Sequence, residues 1–222
     1  MEKEFDKSYM KRKLYYDNLV YLPFKRLIDI TAAFTALFIL LPLLLIISSF
    51  YLYGENKGNI LFKQKRIGLN GDEFYIYKFR SMIVDAEECL KRDALLYTKY
   101  VENNYKLDPE EDPRITKLGC FLRKTSLDEL PQFFNVMIGN MSLVGPRPVV
   151  NEELLEYKDR KDAFLSVKPG ITGYWQANGR SNVGYPERVD IELYYVENKC
   201  LKLDIYILFQ TFFKVLLRSG AY

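Results

Sequence analysis

The longest apolar run in the chain, Phe24–Tyr53, carries no charge between Ile30 and Gly54, roughly the length needed to cross a bilayer core. Lys25 and Arg26 introduce it, and Lys57, Lys63, Lys65 and Arg66 follow it. Basic residues therefore flank both ends and favour neither orientation. Pro42 stands mid-run, where it removes a helix hydrogen bond and kinks the helix. A straight span and a kinked hairpin that enters and leaves on one side both fit, since spanning helices tolerate proline. In the hairpin, Asp29 lies near the interface rather than deep in lipid.

Past this run the periodicity shortens. Asn59–Met82 reads as a β-hairpin: Asn70-Gly71 is a turn signal, and Phe74, Tyr75, Ile76, Tyr77 and Phe79 suit a strand. Lys63, Lys65, Arg66, Lys78 and Arg80 make the hairpin basic, which suits either anionic headgroups or a phosphate site. Val84–Lys106 has helical spacing through Ala86, Leu90, Ala94, Tyr97 and Val101. Leu107–Pro113 is an acidic, proline-bearing loop, and a short helix then ends at Arg123-Lys124. Asn151–Phe164 reads as a charged helix broken by Lys168-Pro169-Gly170. The Gly/Asn-rich loop ITGYWQANGRSN follows, with the only tryptophan, Trp175. That ring can stack on a base, lie at a membrane interface or pack in the core. Glu187–Asn198 reads as a helix. Leu203–Leu217, apolar nearly all round but containing Lys214, reads as a helix on or against a membrane face. Met1–Leu22, polar with Lys11-Arg12-Lys13, reads as a cytoplasmic tail or short interfacial helix and lacks the features of a secretory signal.

Composition narrows the chemistry. The 222 residues are 49% hydrophobic, enough for one domain, or one domain with an anchoring segment. A net charge of +3 is too mild to argue for nucleic acid. Cys89, Cys120 and Cys200 are odd in number and widely spaced, which fits reduced thiols in a cytosolic setting. There is no histidine, so Ser-His-Asp, Cys-His and HExxH chemistry are excluded. Carboxylates, Lys/Arg, hydroxyls and a bound metal remain.

The candidate chemistry concentrates in Lys124–Pro148, KTSLDELPQFFNVMIGNMSLVGPRP. Ser126-Leu127-Asp128-Glu129 fits a capping box, in which Glu129 merely closes a helix start. Pro131 makes that awkward, because it would fall past the first turn. A helix starting near Asp128 accommodates Pro131 and sets Asp128 at a positive helix end beside Arg123 and Lys124, a setting that keeps it ionised and welcomes phosphate. Capping and catalysis both stay open at this point.

Taken in order, KRLIDI (Lys25–Ile30), Pro42, FKQKRIG (Phe62–Gly68), YKFRSM (Tyr77–Met82), DPRITKLGCFLRKTSLDELPQ, MSLVGPRP, KPGITGYWQANGR, YYVEN and LRSG closely resemble the bacterial sugar transferases, the small monotopic phosphoglycosyl transferases acting on polyprenol phosphate. The resemblance covers about Phe24–Gly220. It implies a mixed α/β, predominantly helical fold: a re-entrant membrane helix-break-helix, a small β-hairpin, and amphipathic interfacial helices around one cytoplasmic catalytic domain. The divisions are a tail over 1–23, the re-entrant hairpin over 24–58 and the catalytic domain over 59–222. The location implied is the cytoplasmic face of a bacterial inner membrane.

The implied reaction moves sugar-1-phosphate from a UDP-sugar to undecaprenyl phosphate and releases UMP. Asp128 is the implied nucleophile and Glu129 the implied ligand of Mg²⁺, while Lys78, Arg80, Arg123 and Arg147 match basic motif positions suited to phosphate. An ionised carboxylate needs no general base, so the missing histidine is no obstacle. The implied partners are the UDP-sugar, undecaprenyl phosphate and bacterial membrane lipids, with no nucleic acid and with a homo-oligomer left open. Three positions depart from the pattern: Leu41 where Ser often precedes the kink proline, Glu192 where Asp is usual, and Tyr174 before Trp175-Gln176 where Trp-Ala-Gln is commoner. The alternative to an enzyme is a membrane-bound scaffold or anionic-lipid binder using the basic hairpin.

Overall fold

A computed structural model of the protein describes residues 17–102, 107, 112–178 and 183–216. Helix α1, Leu22–Ser49, begins with a proline in its first turn, where the missing N–H costs nothing. It runs on through Pro42 as a continuous helix, so the expected helix-break-helix is not seen as an interruption. With its flanking turns it forms the one helix among the described residues long and apolar enough to cross a membrane, Leu19–Leu52, and little of it is buried. Phe34, Phe38, Ile39, Leu41, Leu45 and Ile46 are all exposed.

Both ends of α1 nonetheless touch the globular part. Near its start, Arg26 donates to the carbonyls of Val136 (2.6 Å) and Met137 (2.8 Å), while Ala33 joins the main core. Asp29 is buried and accepts the Leu143 N–H at 3.0 Å. Protein thus covers the carboxylate expected near an interface. Near the end of α1, Ile47 and the following Tyr51 pack with Phe79 and Leu122 in a second cluster.

The hairpin forms as its alternation predicts. Strands β1 (Leu61–Ile67) and β2 (Glu73–Phe79) pair antiparallel, Phe62 opposite Lys78 and Arg66 opposite Phe74. Asn70 and Gly71 both take positive φ, +57° and +88°, as the tight connection requires. The stretch expected as one helix over Val84–Lys106 is two, α2 (Ala86–Arg92) and α3 (Ala94–Glu102). Asp93 leaves the helical region between them, and its carboxylate caps the Leu96 N–H. Of the loop Leu107–Pro113, residues 108–111 lie outside the described residues. Asp112 within it is buried and holds Arg114 through two bonds of 2.8 Å.

Helix α4, Lys117–Thr125, is capped by the Thr116 hydroxyl, which accepts the Gly119 N–H. A 3₁₀ turn, Leu127–Glu129, leads to α5, Gln132–Ile138. Asn135 of α5 accepts the Tyr77 N–H and donates to the Tyr75 carbonyl, clamping α5 to the free edge of β2. Next comes β3, Ser142–Val144. The helix expected over Asn151–Phe164 divides into α6 (Asn151–Leu154), a 3₁₀ stretch and α7 (Lys161–Leu165), because Lys158 takes φ +50°. Strand β4, Gly170–Thr172, runs parallel to β3, a pairing the sequence pattern did not suggest.

Helix α8, Tyr174–Asn178, occupies part of the expected loop ITGYWQANGRSN, whose residues 179–182 lie outside the described residues. Helices α9 (Glu187–Asn198) and α10 (Leu201–Leu216) follow. Asp204 pins α10: it accepts bonds from Tyr21, Lys25 and Tyr195 at 2.7–2.9 Å. Ile205, Phe209 and Phe212 on α10 are exposed. The tail's residues 1–16 and the terminal LRSG motif lie outside the described residues.

Candidate active site

The acid pair sits where two helices meet end to end. Helix α4 ends at Thr125, and Ser126 turns the chain in the left-handed region (φ +56°) without offering its side chain as a cap. The capping-box reading therefore fails: Ser126 finishes the preceding helix instead of starting the next. Asp128 and Glu129 fall in the 3₁₀ turn, and Pro131 occupies the position before α5, where its missing N–H is harmless. The helix thus begins at Gln132, a few residues later than Asp128.

Lys78, at the end of β2, reaches across to Glu129 and donates to Oε1 at 2.6 Å. Burial pushes the Glu129 carboxyl up, but Lys78, Arg147 and hydrogen bonds from Lys78 and Gln132 hold it below its ordinary value. Asp128 goes the other way. Burial, then the adjacent Glu129 charge, outweighs Lys78 and Arg123 and pushes it up to about 6. Desolvation and a like charge thus outweigh its cationic neighbours. At neutral pH the carboxyl is still mostly ionised, and it is less stabilised by its surroundings than an exposed one.

Three of the expected cations surround this pair. Arg123 is fixed by donating from Nε to the Ser81 hydroxyl at 2.8 Å, and its charge acts on Asp128. Lys78 and Arg147 line a recess with Glu129, Gln132, Arg66 and Gln176. Arg80 is placed differently. It is buried, and its guanidinium donates to the carbonyls of Asn56, Asn59 and Met82. Tyr51, at the far end of the apolar helix, donates to the Arg80 carbonyl and lies close enough to Asp128 to feel its charge. Arg80 thus fastens the exit of the apolar segment to the strand that carries Lys78.

Arg147 is held from beneath. Its N–H donates to Glu192 (3.2 Å), which is buried to 1% exposure and also takes bonds from Tyr157 and from Arg188 Nε. Burial raises the Glu192 carboxyl despite these partners. Arg188 lies over the rings of Trp175 (4.3 Å) and Tyr185 (4.8 Å), and the Trp175 N–H donates to the Val183 carbonyl. Trp175 is therefore engaged by protein on one side.

Two cleft residues were not singled out as site residues from the sequence. Gln132 was hidden inside a motif, although its position three residues after Glu129 is a helical-face signal. Arg66 was grouped with Lys63 and Lys65 by charge. The hairpin register separates them: Arg66, Gln64, Ile76 and Lys78 share one face, because directly opposed residues point the same way.

No cluster of three or more acidic or sulfur side chains suited to a metal occurs among the described residues. Asp128 and Glu129 supply two adjoining carboxylates, too few for an all-protein cage. They match the one or two carboxylates that bind Mg²⁺ when substrate phosphates complete its shell.

Residues 20–218 match the family described as bacterial sugar transferase. A sugar transferase of Haemophilus influenzae is 47% identical over 203 residues, 89% of this chain and 42% of that protein. The undecaprenyl-phosphate galactose phosphotransferase of Salmonella typhimurium is 46% identical, over 89% of this chain and 41% of its own length. The exopolysaccharide production protein ExoY of Rhizobium meliloti is 40% identical, over 89% of this chain and 88% of its own. The chain thus spans about two fifths of the first two relatives and most of the third. A match across nearly the whole described chain, with the acid pair and its cations assembled in one place, leads to one assignment: the chain belongs to the bacterial sugar transferase family.

Proposed function

We propose that this chain is a phosphoglycosyl transferase that moves sugar-1-phosphate from a UDP-sugar to undecaprenyl phosphate, by way of a phosphosugar held on Asp128. The observation that carries this reading is Asp128 beside a Lys78–Glu129 pair, with Arg123 and Arg147 near the same two carboxylates. An ionised, poorly solvated carboxylate is a competent nucleophile without a base. Its attack brings an anion toward a diphosphate, so the dominant task is to neutralise charge, and fixed cations do this without reorganising. Asp128 Oδ bonds to the β-phosphorus and the bond to the UMP oxygen breaks. The lipid phosphate then displaces Asp128 and forms the diphosphate-linked lipid sugar. Glu129 would hold Mg²⁺, which would supply further neutralisation of the diphosphate.

The same proposal places the apolar helix as a re-entrant element bent at Pro42, with the catalytic part on the cytoplasmic face. Its support is that α1 touches the globular part both near Arg26 and Asp29 and near Ile47.

UMP release from a panel of UDP-sugars in the presence of undecaprenyl phosphate tests the reading. Wild-type protein is expected to release UMP from at least one donor, and Asp128→Asn from none. Full activity in that variant would sink the mechanism, and a non-catalytic scaffold would release no UMP in either case. With lipid withheld, a sugar-phosphate adduct on the wild-type protein, detected by intact mass, is expected. Turnover with no adduct would indicate direct attack by the lipid phosphate.

A further inference from the structure

The recess that contains Glu129 and Lys78 extends to Arg66 and Arg147. Arg66 is only partly committed there. Its Nη1 donates to the Pro148 carbonyl (3.1 Å) and lies 3.8 Å from Glu153, and its Nη2 donates to Gln64 (2.7 Å). Its Nε is buried with no hydrogen-bond partner among the described residues. A buried N–H left without a partner is costly, and it is more costly on a cation whose side chain is just 12% exposed.

The charges make the same point. Arg66, Lys78 and Arg147 line the recess with a single carboxylate, Glu129, which Lys78 already engages. With Glu153 beside Arg66 just outside the lining, the partly desolvated recess still carries more cations than anions, which favours an incoming phosphate. The hairpin register gives direction. Lys78 lies opposite Phe62, four residues along β1 from Arg66, roughly 13 Å along the strand. Arg66 therefore lines the recess away from the Lys78–Glu129 pair that adjoins Asp128, which is not among the recess's lining residues. In an in-line displacement the leaving group departs opposite the nucleophile.

We propose that Arg66 binds the phosphate that leaves as UMP. This rests on the donor chemistry proposed above. As Asp128 Oδ bonds to the β-phosphorus, the bond from that phosphorus to the bridging oxygen breaks and its electron pair stays with UMP. The α-phosphate becomes a dianion, and no proton has to move. The Nε–H of Arg66, whose two Nη groups are already bonded, and the Arg147 guanidinium are the donors available to that developing charge, and charge-assisted bonds to phosphate oxygens are the strong ones.

The test compares UMP and uridine binding to the full-length protein by calorimetry, together with UMP release, for wild type, Arg66→Lys and Arg66→Ala. Wild type is expected to bind UMP more tightly than uridine. Arg66→Lys is expected to weaken UMP roughly 10- to 100-fold, the worth of one charge-assisted bond, leaving uridine and the KM for lipid phosphate unchanged. Arg66→Ala should erase the preference for UMP. Unaltered UMP affinity in both variants, in a protein whose wild type releases UMP, overturns the role of Arg66 alone. Equal weakening of UMP and uridine with a matching fall in thermal midpoint also overturns it, in favour of a purely structural arginine. Failure of the wild type to release UMP from any donor instead defeats the parent reading.

Discussion

Asp128 shows how far a single residue can be read. Its place in a charged motif was legible, because paired acids beside basic residues are visible in any sequence. Its ionisation was not, because that depends on water excluded by α4, α5 and the hairpin. With its folded value near 6 against an ordinary 3.8, the neutral form is the one that folding favours. The stability this provides is fully present below about pH 4 and is lost as pH rises through 6. In metal-free buffer, Asp128→Asn should therefore gain on wild type between pH 4 and 6 and keep a constant lead above. That lead should be about 1–2 kcal/mol once solvent screening of the half-buried carboxylate is allowed for. Thermal midpoints across pH 4.5–8 check it, and a gap that does not change with pH would refute it. The same limit explains Arg80. Composition marks it as one more cation near a phosphate site, and only the positions of the Asn56, Asn59 and Met82 carbonyls distinguish a fastening from a ligand.

At the scale of elements, the hairpin was readable because a period of two flanks an Asn-Gly turn. The parallel pair β3–β4 was not, since strands of three residues carry no periodicity and parallel partners are distant in sequence. This pair nevertheless sets the position of Arg147. Gly145 donates to Thr172 and Gly170 to Pro146, both at 2.9 Å. A Cβ on Gly145 would lie 2.3 Å from the Lys168 carbonyl oxygen. Gly145→Ala must therefore push the two turns apart, costing about 1–3 kcal/mol and lowering UMP release as Arg147 shifts. Gly184→Ala, which meets nothing within 4 Å, is the control and should change neither. Glu192 secures the same turn from the other side. Removing it as Glu192→Ala leaves Arg188 with only Glu153 at 3.6 Å and leaves the Arg147 N–H and the Tyr157 hydroxyl without their acceptor, a loss of roughly 1–3 kcal/mol. A chemical-denaturation midpoint unchanged in that variant would show that the buried carboxylate is not what holds the turn.

Taken as a whole, the molecule presents its apolar helix along the globular part, and this bears on how it meets a membrane. A straight helix of 28 residues rises about 42 Å, more than the roughly 30 Å of a bilayer core. A domain on one side of the membrane could then reach one end only. Here Arg26, Asp29 and Ala33 are tied to α5, β3 and the main core, while Ile47 and Tyr51 are packed on Phe79 and Leu122. Severing either set would expose buried charge or apolar surface, so a straight span carries a penalty that a bent, shallow insertion avoids. Sequence alone left the two topologies open because Pro42 and the basic flanks suit both. The contacts at both ends weigh against a straight span, and the bend at Pro42 belongs to the function proposed above. In a chain with Cys89, Cys120 and Cys200 replaced by Ser, Leu19→Cys and Tyr53→Cys, both well exposed in the protein, should react with an impermeant maleimide in inverted vesicles and remain unlabelled in intact spheroplasts. Leu41→Cys, exposed beside Pro42, should be shielded by lipid in both. Labelling of positions 19 and 53 from opposite faces would require a straight span, and the contacts at one end of α1 would then have to break in the membrane.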